Sequence, residues 1–417
     1  MKLAKVAPDF CYPPGMISVD QARAFILDRA RTVTRAETVE LAAALGRVTA
    51  GSHRSPIDVP GFANSAMDGF AVRSADVAGE GKTTLKVTQR ISAGAAGGVI
   101  GPGEAARIFT GAPIPDGADA VVMQERCEVD GDSVTLTGPV PAGDNTRPRG
   151  NDILAGREVL PRGTRMRPQE LGLAASVGLA DLSVFRRLKV AIFSTGDELV
   201  KPGEPLPPGK IYNSNRYTLI GLLTALGCEI VDLGMVEDTL EATRRALRNA
   251  AAAADVVVTT GGVSVGEEDH VRNAVEAEGH IDLWRVAVKP GKPLAYGRIG
   301  EADFLGLPGN PVSTLVTFCL FVRPFLLKRQ GVSEILPRPY PVRAAFTWKR
   351  PAMRREFARA RLLRNDGEVP EAEIFEKQGS DVLTSTVWAE GVVEIPEGNT
   401  VDAGDTILFY PFAELLN

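Results

Sequence analysis

Asp255-Val-Val-Val-Thr-Thr-Gly-Gly-Val-Ser-Val-Gly-Glu-Glu-Asp-His270 is the stretch on which the reading of this chain turns. A β-branched run, Val256 to Val258, stops at paired threonines and glycines. An acid-led, helix-like segment then begins at Glu267, Glu268 and Asp269. In an open parallel sheet this is the crevice outside a strand's carboxyl end, where ligands bind. Gly261 and Gly262 let the backbone turn and come close to an anion. The amides of such a turn, with those of the following helix, can cradle phosphate. Acids opening a helix also answer its dipole, so the stretch alone fits an ordinary strand-to-helix turn equally well. The surrounding sequence has to decide.

Outward from this loop, residues 190–193 read as a buried strand, 214–226 as a helix closed by Gly227, and 229–233 as a strand. Residues 240–253 read as an alanine-rich helix, 256–260 as a strand and 311–329 as a long apolar helix. Strands and helices alternating over short links imply right-handed crossovers and a doubly wound sheet. Upstream, Ser18 and Gln21 form a capping box for a helix over 18–30. A second helix is expected over 39–45, ending at Gly46. Short runs at 84–92, 105–110, 120–124 and 133–137 predict a small β module, and 152–185 resumes a mixed helical texture. Beyond 336, runs at 342–348, 392–395 and 406–410 predict a separate all-β domain. The expected fold is multidomain, combining α+β and α/β parts. A mixed helical domain (15–56 plus 147–185) is interrupted by an inserted β module (57–146). An α/β domain (186–333) and a C-terminal β domain (334–417) follow.

Composition sets the outer limits. A chain of 417 residues is too long for one typical domain. Its 44% hydrophobic and 24% charged content is ordinary for a globular protein. A net charge of −5 gives no electrostatic reason to expect nucleic acid or an anionic membrane as partner. No apolar run is read as long enough to span a bilayer, and the N-terminus lacks a signal peptide's apolar core. Four cysteines far apart fit a reducing compartment and no zinc cage, so a cytoplasmic location is expected.

Chemistry collects at the strand ends. Ser194, Thr195 and Gly196 close the first α/β strand, followed by Asp197 and Glu198. Asp238 follows the second strand; Thr260, Gly261, Gly262, Ser264 and Asp269 follow the third. Each acid could simply cap its helix. Four acids at one edge, beside a phosphate-cradling loop, would repel a phosphate unless a divalent cation intervened. Magnesium held by Glu198, Asp238 and Asp269 removes that conflict, because hard carboxylate oxygens hold it while it bridges to phosphates. Trp284-Arg-Val-Ala-Val-Lys-Pro-Gly-Lys-Pro293 then brings Arg285, Lys289 and Lys292 on a backbone stiffened by proline. Leu305-Gly-Leu-Pro-Gly-Asn-Pro-Val-Ser313 supplies another strand-to-helix turn. The set describes a pocket for a large polyanionic ligand, and no nucleophile–histidine–acid triad is visible.

Six strings carry a resemblance: Asn64-Ser-Ala-Met-Asp-Gly-Phe-Ala-Val72, Thr110-Gly-Ala-Pro113, Phe193-Ser-Thr-Gly-Asp-Glu-Leu199, Thr260-Gly-Gly-Val-Ser-Val-Gly266, Lys289-Pro-Gly-Lys-Pro293 and Gly306-Leu-Pro-Gly-Asn-Pro-Val312. In this order they resemble the molybdopterin molybdenumtransferase family, which includes the E domain of gephyrin. The glycine loop alone also resembles molybdopterin adenylyltransferases and CinA-type proteins. Those relatives would not account for the Ser-Ala-Met-Asp-Gly string or the flanking β domains.

The resemblance implies a molybdopterin-binding α/β domain. It also implies a reaction in which adenylylated molybdopterin and molybdate give molybdenum cofactor and AMP with a divalent cation. It carries catalytic roles to Asp68, Thr110, Asp152, Glu198, Asp238, Asp269 and Lys289, with Pro308 and Pro311 at substrate-binding positions. Lys292, Ser313 and Arg359 resemble proposed molybdate contacts. Arg285 stands where the family commonly has lysine, keeping charge but not point-charge geometry. Asn151 stands where an acid is frequent. The family also implies a homodimer whose cleft is shared between one subunit's α/β domain and the other's β module. A molybdopterin adenylyltransferase and recipient molybdoenzymes are implied as further partners. A scaffold role like gephyrin's would not need the full set of acids and lysines.

Overall fold

The computed structural model describes residues 12–13, 15–262, 270–363 and 369–416. Strand Val256–Thr260 is buried along its whole length within a six-stranded sheet. The order across that sheet is Glu229–Val236, Lys189–Thr195, Val256–Thr260, Ala302–Leu307, Pro293–Ile299 and Gly279–Arg285. The first four strands run parallel; the fifth is antiparallel to both of its neighbours, the fourth and the sixth. Ser194 lies opposite Thr260, and Thr260 opposite Leu307, so three strands end together at one edge.

Val190, Ile192, Val256 and Val258 pack into one core, whereas Ala191, Phe193 and Val257 pack into another. A strand covered on both faces needs apolar residues at every position, which is why these runs do not alternate with polar ones. Helices Ser214–Ala225 and Leu240–Ala253 start beside the same sheet edge. Asn213 caps the first by accepting from the Arg216 amide at 3.1 Å. Thr239 caps the second by accepting from the Ala242 amide at 3.3 Å.

Helix Pro311–Arg329 corrects one expectation. By length and composition it could cross a bilayer, but 89% of its apolar window is buried inside the protein. Its middle widens into a π-helical turn over Phe318–Val322. A helix apolar on all sides must be enclosed, and here the enclosure is the protein's own core.

Helix Val19–Arg29 carries the expected capping box. The helix expected over 39–45 is instead strand Ala36–Glu40 followed by a 3-10 turn, Leu41–Ala44. Val39 pairs with Leu182 across the sheet and packs beside Leu160 and Leu182. Cross-strand packing of a β-branched residue overrides a short helical pattern. The region 152–185 is likewise part strand: Glu158–Leu160 and Asp181–Phe185 flank its one helix, Pro168–Ser176. Both strands pair back to the N-terminal segment. Between them, strands from 69 to 137 form their own six-stranded sheet.

At the C-terminus, Arg355–Leu363 pairs with both Glu371–Ile374 and Gly391–Ile395, closing five strands into a barrel. A short strand pairing ties the barrel to the α/β part. Strand Val288–Lys289 adds to it in parallel, placing Val288 opposite Arg355 and Lys289 opposite Glu356.

Candidate active site

A cavity of about 920 Å³ opens where the parallel strands end. Its floor is Thr195, Thr260, Gly261 and Gly262; Glu198 and Tyr212 to Asn215 form one wall. Lys289 to Pro293 form another, with Pro308 to Pro311 and Ser313 alongside. The barrel supplies the remainder through Arg354 and Gln378 to Asp381.

The floor is built from short polar contacts. Ser194 Oγ lies 3.2 Å from Thr260 Oγ1, and Thr195 Oγ1 donates to Asp238 Oδ1 at 2.8 Å. Gly261 adopts φ +86°, and a Cβ there would stand 2.6 Å from the Thr195 carbonyl oxygen. Only glycine lets the two strand ends come so close while leaving the turn open to a ligand. The Glu198 carboxylate lies over Gly196, where an added Cβ would meet Oε2 at 2.7 Å.

Pro311 occupies the first turn of its helix, where a missing N–H costs nothing. Asn310 Nδ2 donates to Ser380 Oγ at 2.9 Å, and the Val312 amide donates to the Ser380 carbonyl at 3.0 Å. These bonds tie the helix start to the barrel. Ser313 is nearly fully buried yet reaches the cavity wall. Asn215 Nδ2 donates to the Gly309 carbonyl at 2.7 Å, which fixes the loop before Asn310.

Lys289 Nζ sits 3.1 Å from both carboxylate oxygens of Glu356. Lys292 makes no ion pair among the described residues and faces the cavity uncompensated. Arg359 does not line the cavity. It is buried, its guanidinium donating to Ser385 Oγ at 3.0 Å and to the Gly379 carbonyl at 2.9 Å, so it braces the wall loop from behind. Burial pushes its pKa down to about 10.

Ser194, Gly196 and Asp238 lie at the same strand ends without reaching the lining, and Arg285 ends an edge strand beyond it. Asp68, Thr110 and Asp152 do not line this chain's cavity either. Asp68 Oδ1 accepts from the Thr110 amide at 2.8 Å and from Thr110 Oγ1 at 2.7 Å. Those two bonds, the amide first, hold the exposed Asp68 carboxyl below its ordinary pKa. Ser264 and Asp269 lie outside the described residues.

The sequence reading missed the barrel's contribution, Arg354 and Gln378 to Asp381, and also Asn213 and Asn215. Polar turns of this kind are common, and only long-range packing tells which of them lines a cavity. The Glu198 carboxylate makes no hydrogen bond or ion pair among the described residues, and Asp238 is oriented by Thr195. No group of three or more candidate ligands gathers among the described residues. Magnesium commonly takes one or two carboxylates plus substrate phosphates, so Glu198 and Asp238 fit that donor set.

The fold and cavity together define a multidomain α/β protein with a large polar-walled cavity at the carboxyl ends of its parallel strands. Residues 17–178 match the family described as MoeA N-terminal region (domain I and II), 191–328 the probable molybdopterin binding domain, and 341–412 the MoeA C-terminal region (domain IV). The chain is 40% identical to the molybdopterin molybdenumtransferase of Haemophilus influenzae, over 96% of its length and 100% of the relative's. It is 37% identical to molybdopterin molybdenumtransferase 2 of Mycobacterium tuberculosis, over 92% of its length and 96% of the relative's. Two crystal structures of the molybdopterin biosynthesis MoeA protein from Pyrococcus horikoshii are similar throughout. One has 32% identity and a TM-score of 0.76, covering 95% of this chain and 99% of the other. The second has 28% identity and a TM-score of 0.82, covering 95% and 100%. The chain belongs to the molybdopterin molybdenumtransferase (MoeA) family.

Proposed function

We propose that this chain catalyses the family reaction in full, taking adenylylated molybdopterin and molybdate to molybdenum cofactor and AMP. The observation that carries the reading is the convergence of three walls on one cavity: the glycine-turn strand ends, the Lys289–Lys292 loop and the barrel loop at 378–381. The first suits a pyrophosphate, since Gly261 keeps backbone open to an anion. The second supplies cations to phosphate or molybdate oxygens. Glu198, Asp238 and Asp269 would hold magnesium, which when bound neutralises charge on the pyrophosphate. Glu198 is suited to the task because it has no competing partner among the described residues. Thr195 keeps Asp238 turned toward the same edge.

The cleft is completed, in this reading, by Asp68, Thr110 and Asp152 of a second copy of the chain. Support comes from their position. The Asp68–Thr110 pair is preorganised and exposed, yet its own chain's cavity is lined without it. A molybdopterin adenylyltransferase supplying substrate and a molybdoenzyme receiving product are partners of the same reading.

The test is release of AMP from adenylylated molybdopterin with and without molybdate. Molybdate-dependent release supports the reading; release independent of molybdate indicates a hydrolase, and none indicates a scaffold. The shared cleft is tested by mixing inactive Asp68→Ala and Glu198→Ala chains and letting subunits exchange. Each mixed dimer then carries one intact cleft, so activity should return. A mixture that exchanges subunits and stays inactive removes the shared cleft.

A further inference from the structure

Among the described residues, Lys289 is the one cavity lysine whose charge is answered from another domain. Its ammonium lies 3.1 Å from both oxygens of Glu356, a carboxylate only 7% exposed. The Trp348 ring centroid, also on the C-terminal side, is 6.0 Å from Nζ. The contact exists because Val288–Lys289 adds as a strand to Arg355–Leu363 in a register that sets Lys289 opposite Glu356.

The neighbouring pair has a different task. Arg355 reaches Asp20 at 2.9 Å, Glu394 at 3.2 Å and Glu397 at 3.1 Å, joining helix Val19–Arg29 to the barrel. Its amide donates to the Ala287 carbonyl at 3.0 Å. Successive side chains of a strand point to opposite faces. Arg355 therefore anchors the barrel, while Glu356 is turned to the face that carries Lys289. Docking is secured without Glu356, whose side-chain hydrogen bond among the described residues is to Lys289.

A lysine on a four-carbon stem does not hold one position by itself. An ammonium has three donors, and one carboxylate leaves at least one for a substrate oxygen. We infer that Glu356 is a positioning residue: the docked barrel uses it to hold the Lys289 ammonium at the cavity wall, ready for the substrate's anion. This rests on the reading of Lys289 as an anion-binding residue. It also makes that part of the site conditional on the barrel's attachment, although Lys289 belongs to the α/β domain.

The experiment is a double-mutant cycle of Lys289→Ala and Glu356→Gln in the full-length protein, followed by steady-state AMP release and thermal unfolding. A mispositioned contact is expected to lower kcat/KM of Glu356→Gln by about 10- to 100-fold. Glu356→Asp, which keeps the charge, should recover part of that loss. In the Lys289→Ala background, Glu356→Gln should cost no further activity. It should also raise the melting temperature there, because it removes a buried charge left without its cation. Wild-type activity in Glu356→Gln beside an impaired Lys289→Ala overturns the inference and leaves the Lys289 reading intact. Wild-type activity in Lys289→Ala overturns both. Equal losses from Glu356→Gln in the two backgrounds also overturn the inference, since Glu356 would then act on the fold and not through Lys289.

Discussion

Gly261→Ala puts the central geometric claim at risk. At φ +86° an alanine enters a backbone region that side chains disfavour, at a cost of about 1–2 kcal/mol. Its Cβ would also stand 2.6 Å from the Thr195 carbonyl oxygen, a backbone atom that cannot swing aside. Relieving such overpacking costs about 1–3 kcal/mol more, giving a total near 2–5 kcal/mol. A domain stable by about 5–15 kcal/mol stays folded after that loss. The strain must be relieved by moving Thr195 or the glycine turn, and both line the cavity. Thr195 also orients Asp238, so substrate binding should weaken with stability. Urea unfolding and the KM for adenylylated molybdopterin measure the two effects. Gly300→Ala provides the internal comparison: φ is +57° there, but nothing lies within 4 Å of the added Cβ. It should lose only the backbone part, about 1–2 kcal/mol, with KM unchanged. If Gly261→Ala loses under about 0.5 kcal/mol and keeps its KM, the close approach of the two strand ends is wrong.

Glu198→Gln should leave stability within about 0.5 kcal/mol of wild type, because the carboxylate has no partner among the described residues. AMP release should fall at least about tenfold and depend more steeply on magnesium; an unchanged magnesium titration counts against Glu198 as a ligand. Lys292→Ala should raise the molybdate concentration needed for half-maximal rate, with recovery at high molybdate, and an unaltered molybdate dependence would exclude the contact. Asp255 supplies a pH prediction for stability. Burial raises its pKa, but the two Arg186 bonds at 2.7 and 2.6 Å and the Lys189 amide outweigh burial and hold it below 3.8. A depressed carboxylate pKa stabilises the fold above the unfolded value, and that stability is lost as pH falls through the folded value. The melting-temperature gap between wild type and Asp255→Asn should therefore be full at neutral pH and shrink below pH 3.8; a constant gap down to pH 3 refutes this.

Where apolar burial sets the pattern locally, the sequence was sufficient. Val256–Thr260 and Leu240–Ala253 have the bounds that periodicity and capping predict, and Ser18 with Gln21 caps its helix as expected. The glycine turn, the two cavity lysines and the strand-end acids were also visible, because turn chemistry and charge are written in neighbouring residues. Residues 36–44 show the limit. Their partner strand begins at Asp181, and cross-strand packing at that separation leaves no local trace. The wall contributed by Arg354 and Gln378 to Asp381 was hidden for the same reason, as was the pairing of Lys289 with Glu356. Strand addition between the α/β domain and the barrel is a matter of backbone register, which side-chain pattern does not encode. The sequence by itself determined which strands end in glycine turns and acids and which loop carries the two lysines. Only the tertiary structure decided which of them share a cavity, because that depends on how separately formed sheets dock, and docking is settled by contacts between residues far apart in the chain.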